Sequence, residues 1–200
     1  MLRTALVGKP PVGIKEGGAG LNMRLKKLLE QNKKAIVNQW FERVVKTYAP
    51  DTAQFIKSQK DPFSNPVGNA LSQGLAVLFD QLLAGPETET VNKFLDPIIR
   101  IRAVQNYSPS QATAFILILK YVIRDILEDK LKESRIANEL LQFDLQIDSL
   151  SLAAFDIYMA CKEKIYDLKT NLEKNKVLKA FERAGLITET PERDPGLQSN

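Results

Sequence analysis

The chain contains no histidine and a single cysteine. The first absence removes imidazole-held haem, histidine-bearing zinc sites and Ser-His or Cys-His nucleophile pairs. The second removes any intramolecular disulfide and makes a reducing cytoplasm the expected compartment. Long apolar runs are missing too. The most extended, Ala114 to Leu119, is closed by Lys120, whereas a spanning helix needs ~20 apolar residues. That segment is expected as a buried core helix. Residues 1–22 lack the apolar stretch of a secretion signal. No segment alternates apolar and polar residues as a half-buried strand would. The glycine-rich pieces are not phosphate loops, because no Gly-Lys-Ser/Thr closes a Gly-x-x-x-x spacing. No cofactor and no metal are expected.

What is present is helical grammar. With 200 residues, 44% hydrophobic and 26% charged, the chain suits one core with a solvated surface. Leu140, Phe143, Ile147, Leu150, Ala154, Ile157, Cys161, Ile165 and Leu168 follow one another in steps of three or four. Such steps draw one apolar stripe along a long C-terminal helix. Upstream, a first helix is expected from about Arg24 to Tyr48, ended by Pro50, followed by a short one with Phe55 and Ile56. Three cap-then-proline signals follow: Asn65-Pro66, Asp96-Pro97 and Ser108-Pro109, the last with Gln111 at the reciprocal capping position. They predict helices from Pro66 to Gly85, over Thr88–Leu95, over Ile98–Gln105 and from Pro109 to about Leu131. Ser134 can cap the last long helix, and Gly185 can end it. The fold class is therefore all-α: six to seven helices around one core, globin-like or a helical bundle, with a long C-terminal helix. Residues 1–22, rich in Gly and Pro, are expected as a flexible extension, with Met23 a candidate natural start. The helical domain occupies 23–172. A helical end and disordered tail fill 173–200.

Few residues invite chemistry. Arg24, Lys26, Lys27, Lys33 and Lys34 concentrate the +4 net charge, but Leu25, Leu28, Leu29, Ile36 and Trp40 make theirs a solvated helix face, and no nucleic acid is expected. Cys161 lies in the apolar stripe, where cysteine behaves as a small hydrophobe. Asp144 and Asp148 share a helix face without the Glu-x-x-His partner of a di-iron bundle. Trp40, Phe41, Phe63, Phe79, Phe115 and Phe155 are expected in the core. In Ile98-Ile99-Arg100-Ile101-Arg102-Ala103-Val104-Gln105 the two arginines point roughly opposite ways, so one must lie inside. A buried guanidinium needs carboxylates or carbonyls, with Asp144, Asp148 or Asp156 the expected acceptor. The functional alternative places Arg100, Arg102, Gln105 and Lys120, with Trp40 as wall, around an anionic ligand.

The order of short motifs carries a resemblance. Trp40-Phe41-Glu42-Arg43 with Tyr48, then Asp61-Pro62-Phe63-Ser64-Asn65-Pro66-Val67-Gly68, Ile101-Arg102-Ala103-Val104-Gln105, Ser108-Pro109-Ser110-Gln111-Ala112 and Phe155-Asp156-Ile157-Tyr158 resemble the RsbRD-type N-terminal domain family over about Leu25 to Leu172. The resemblance implies a cytoplasmic sensory or regulatory input domain, dimeric, whose last helix passes a signal on. It also implies that the output of full co-antagonists, a phosphorylated STAS domain, lies in another polypeptide, since only a short tail follows Leu172.

The function expected is thus non-enzymatic signal transduction. A ligand or partner in the helical body biases the last helix. Leu140, Phe143, Ile147, Leu150, Ile157, Ile165 and Leu168 are the relay and interface residues, toward a second copy and a downstream kinase or STAS-type protein. The competing expectations are a small-molecule carrier and an accessory subunit of a redox complex.

Overall fold

A computed structural model describes residues 23–186, apart from 59, 60, 62 and 106. The extension expected over residues 1–22 and the tail expected over 188–200 lie outside the described residues. The described residues form seven α-helices and a 3-10 turn: α1 (Met23–Gln31), α2 (Lys33–Val45), α3 (Pro50–Ser58), α4 (Pro66–Ala84), α5 (Thr88–Val104), α6 (Pro109–Ile126), the turn Lys130–Lys132, and α7 (Ser134–Arg183). No strand occurs among them.

The cap signals at Asn65, Ser108 and Gly185 act as their chemistry requires. Ser134 is the first residue of α7 rather than its cap, and among the proline signals there is one exception. Asn65 accepts from the Gly68 N–H at 2.8 Å and, through its own amide, donates to the Ile56 carbonyl at 2.9 Å, so one side chain starts α4 and holds the end of α3. Ser108 and Gln111 form the reciprocal capping box of α6. At the far end of α7, Gly185 takes φ +68°. The Leu186 N–H reaches the Phe181 carbonyl at 3.0 Å and the Gly185 N–H the Glu182 carbonyl at 3.1 Å, a Schellman closure. The exception is Asp96-Pro97. Instead of opening a new helix, Pro97 sits inside α5, which runs unbroken from Thr88. Proline removes one donor from a helix interior, but Val91, Leu95, Ile98 and Ile99 are all buried, and that continuous apolar face outweighs one missing bond.

Two other boundaries differ from expectation. The first helix divides at Asn32, whose amide bonds back to the Leu28 carbonyl at 2.9 Å, giving α1 and α2. The helix expected to about Leu131 ends at Ile126. Its remaining residues form the tight turn into α7.

Clustering by proximity separates a body through Cys161 from a second unit beginning at Lys162. In the body, α4 lies most extensively against α5, and α2 against α6 and α4. Gly74 is what lets α4 approach so closely: a Cβ there would stand 2.8 Å from the Ile98 side chain and 3.2 Å from the Phe94 carbonyl. Trp40, Phe79, Phe115 and Phe143 fill the core, with Leu140, Ile147, Leu150, Ala154, Tyr158 and Cys161 of α7 also buried. Phe41 is half-buried. Phe63, expected in the core, is instead 96% exposed, and Phe155 is largely exposed as well. Glu139 of α7 reaches across to the Leu25 N–H at 3.1 Å. It supplies from a distance the acceptor that the first turn of α1 lacks.

In the second unit, the helix from Lys162 to Arg183 carries Tyr166, Leu168, Leu172, Val177, Leu178 and Phe181 exposed. Ion pairs there are local, such as Lys176 with Glu173.

Candidate functional site: a buried arginine node

Of the two arginines on α5, Arg102 is the one inside, with no exposed surface. Arg100 is on the outside, paired with Asp96 one turn earlier. The expected carboxylate partner is absent: Asp144 pairs with Arg124, Asp148 with Lys120, and Asp156 is exposed. Arg102 donates instead to the Gln111 carbonyl at 3.1 Å and to the Thr47 hydroxyl at 2.9 Å. Its guanidinium carbon lies 4.8 Å from the Tyr48 ring centre, 5.2 Å from Tyr107 and 4.9 Å from Phe115. Three ring faces replace the counter-ion, each contributing about 0.5–2 kcal/mol. The reason is local sequence. Gln111 sits in the first turn of α6, and Thr47 and Tyr48 follow the end of α2, so the start of one helix and the end of another bring a carbonyl, a hydroxyl and a ring to this point.

The same point gathers the surrounding elements. Tyr107 stacks edge-on to Tyr48 with ring centres 5.9 Å apart, and its hydroxyl donates to the Thr47 carbonyl at 3.2 Å. Its N–H bonds the Arg102 carbonyl at 3.3 Å. Tyr158 of α7 donates to the Tyr107 carbonyl at 2.6 Å. Trp40 of α2, fully buried, donates from Nε1 to the Phe115 carbonyl at 2.7 Å. Arg102 thereby joins α2, α5, α6 and, through Tyr107, α7.

Two polar atoms at the node are buried without a partner: Nε of Arg102 and the Tyr48 hydroxyl. Burial pushes the Tyr48 phenol above its ordinary range, and the adjacent guanidinium opposes this less strongly. The fold thus keeps Tyr48 neutral to higher pH than the unfolded chain does. That contribution is complete below the unfolded pKa of about 10 and is lost as pH rises through the folded value. Tyr48→Phe is expected to fold as stably as the wild type or better at neutral pH, since it deletes an unpaired hydroxyl. It should also show a shallower alkaline loss of stability in denaturant titrations. An alkaline loss identical in both proteins would contradict the assignment.

The ligand set expected from sequence does not assemble. Trp40 and Arg102 meet at Phe115, but Arg100 and Gln105 face solvent, and Lys120 of α6 is engaged with Asp148 at 2.6 Å. A shallow cleft beside α2, α3 and α4, lined by Phe41, Ile56, Asn65 and Asn69, holds 270 Å³, below the ~300–1,000 Å³ of most small-molecule sites. Among the described residues, no three His, Cys, Asp or Glu side chains gather as metal ligands. No helix among them is long and apolar enough to cross a membrane. Thr47, Tyr107 and Tyr158 were not singled out as site residues. The available signal was that Tyr48, Arg102, Gln111 and Tyr158 each stand in one of the short motifs, which converge here in space.

The motif residues of this all-helical body are thus spent on joining helices, with Tyr158 of α7 bonded into that joint. A match to the RsbT co-antagonist protein rsbRD N-terminal domain spans residues 34–171, and the chain belongs to that family. The match begins in the first turn of α2 and takes in the whole node. An uncharacterized protein of Archaeoglobus fulgidus is 27% identical over 141 residues, 69% of this chain and 82% of the relative. No solved structure matches the chain.

Proposed function

We propose that this chain is a cytoplasmic, non-enzymatic sensor module that acts as a homodimer and relays a signal through α7 to a kinase or STAS-type protein in another polypeptide. A stimulus that shifts α2, α5 or α6 alters the node and, with it, the hold on α7, so that two arrangements of α7 are differently favoured. The observation that carries this reading is the 2.6 Å bond from the Tyr158 hydroxyl to the Tyr107 carbonyl. It is a polar link between the output helix and the turn that Arg102 organises. Family membership supports the regulatory part of the reading. The exposed Leu168 and Leu172 support an output surface beyond Cys161, since apolar residues at helical spacing are what a partner helix or groove engages. Ile165, half-buried, and Leu168 are the members of the expected interface set that fall in this second unit.

A photo-reactive residue placed at Leu168 or Leu172 in cells of the source organism tests this. The expected result is a covalent adduct with one protein of the kinase or STAS class, lost in Leu168→Glu/Leu172→Glu. Adducts with no protein at either position, together with a small molecule retained in native mass spectrometry, would replace the relay with a carrier.

A further inference from the structure

The outward side of α7 within the body is a second apolar stripe, distinct from the buried one. Leu141, Leu145, Leu152, Phe155 and Met159 are exposed, and so are Leu117 and Tyr121 of α6, all between 37% and 64%. The two helices present one surface. Lys120 pairs with Asp148 and Arg124 with Asp144, so α6 and α7 run antiparallel with these residues along their seam. Asp144 borders the exposed stripe of α7 and Asp148 lies within it, as helical spacing requires.

We infer that this α6–α7 face is where a second copy of the chain docks, antiparallel, around a two-fold axis near Leu150. Three observations favour a second copy as occupant. First, the stripe is symmetric under reversal. Positions 141, 145, 148, 152, 155 and 159 are spaced 4-3-4-3-4, so antiparallel pairing sets Leu141 against Met159, Leu145 against Phe155, and Leu152 against the neutralised Asp148–Lys120 pair of the second copy. A surface that matches its own reverse is what an isologous two-fold contact needs. Second, the charges on the face cancel within each copy: Asp148 stands in the middle of the stripe with Lys120 at 2.6 Å. No net charge therefore opposes two copies meeting. Third, the area suffices. Seven apolar side chains exposed by 37% to 64% sum to roughly 600 Å², the upper end for a patch on a monomer. That is most of the ~800 Å² per partner in a standard interface. The inference locates the homodimer named above and does not depend on the relay.

Sedimentation of the full chain tests the face, and cysteine cross-linking tests its geometry. The wild type should run at twice 22.5 kDa at tens of micromolar. Leu145→Glu/Leu152→Glu should run as a monomer with its cooperative melt preserved, while Leu168→Glu/Leu172→Glu should remain dimeric. In a Cys161→Ala background, oxidation of a mixture of Leu145→Cys and Phe155→Cys proteins should give the mixed disulfide dimer, and each protein alone should not. The two sites are ~15 Å apart along one helix, beyond the ~7 Å reach of a disulfide, so the mixed product reports antiparallel pairing between copies. A monomeric wild type, a dimer indifferent to Leu145→Glu/Leu152→Glu, a dimer abolished by Leu168→Glu/Leu172→Glu alone, or self-linking of a single-cysteine protein would each overturn the inference. Loss of the output adduct with an intact dimer would count against the relay only.

Discussion

Arg102→Ala is expected to lose about 3 kcal/mol of folding stability, and Arg100→Ala less than about 0.5 kcal/mol, although the two arginines are one residue apart on α5. Removing the buried side chain leaves the Gln111 carbonyl and the Thr47 hydroxyl short of a donor, at about 1 kcal/mol each. It also opens a cavity between three rings, for which buried large-to-alanine changes cost about 2–5 kcal/mol. Part of this is offset, because the guanidinium no longer has to be kept out of water. Arg102→Met, which refills much of the volume, should therefore lose only about 1–2 kcal/mol. Arg100 by contrast pairs with Asp96 on an exposed helix face, where such pairs contribute about 0.3–0.5 kcal/mol. Urea titration followed by Trp40 emission is a direct reading. Trp40 is the one tryptophan, and it is bonded to Phe115, which packs on Arg102. Equal losses in Arg100→Ala and Arg102→Ala would show that the node does not hold the helices together.

The second large effect separates the two ends of the apolar stripe on α7. Leu150→Glu should cost more than about 4 kcal/mol, enough to unfold much of a body with a total stability of ~5–15 kcal/mol. Leu168→Glu should stay within about 0.5 kcal/mol of the wild type. Leu150 is 3% exposed and Leu168 is 64% exposed. A glutamate at the former must either carry a charge into the core or bind a proton to enter it. Helical circular dichroism during thermal melting reads both. A Leu150→Glu protein that melts like the wild type would mean that α7 is not seated on the body. The residues expected from sequence at an interface therefore divide between the core and the surface. Leu140, Phe143, Ile147 and Leu150 are core residues of the body, and Ile157 is half-buried.

Periodicity drew the stripe of α7 that the body buries, from Leu140 to Cys161, but not the second apolar stripe beside it. Leu141, Leu145, Leu152, Phe155 and Met159 repeat at helical spacing as well. Caps were legible where a side chain and the backbone it serves lie within one turn, as at Asn65 and Ser108. They were not where the partner is far along the chain, as with Glu139 on Leu25. Asp96-Pro97 misled because proline marks a helix start only when the residues before it have no buried face of their own. At the node, alternation alone placed one of Arg100 and Arg102 inside. Its partners were illegible because they are a backbone carbonyl, a hydroxyl and ring faces brought from three helices. Sequence logic favours a carboxylate for a buried cation, and here none was used.

The make-up of that joint limits what can work it. Burial pushes the Tyr48 phenol upward, away from neutral pH. Apart from Arg102 and the tyrosines, the groups that meet at the node are a threonine hydroxyl, a phenylalanine ring and main-chain carbonyls. Histidine, the side chain that ordinarily changes charge near neutral pH, is not among them. Under the proposed relay, a stimulus therefore acts on this joint by displacing or occupying it rather than by protonating it.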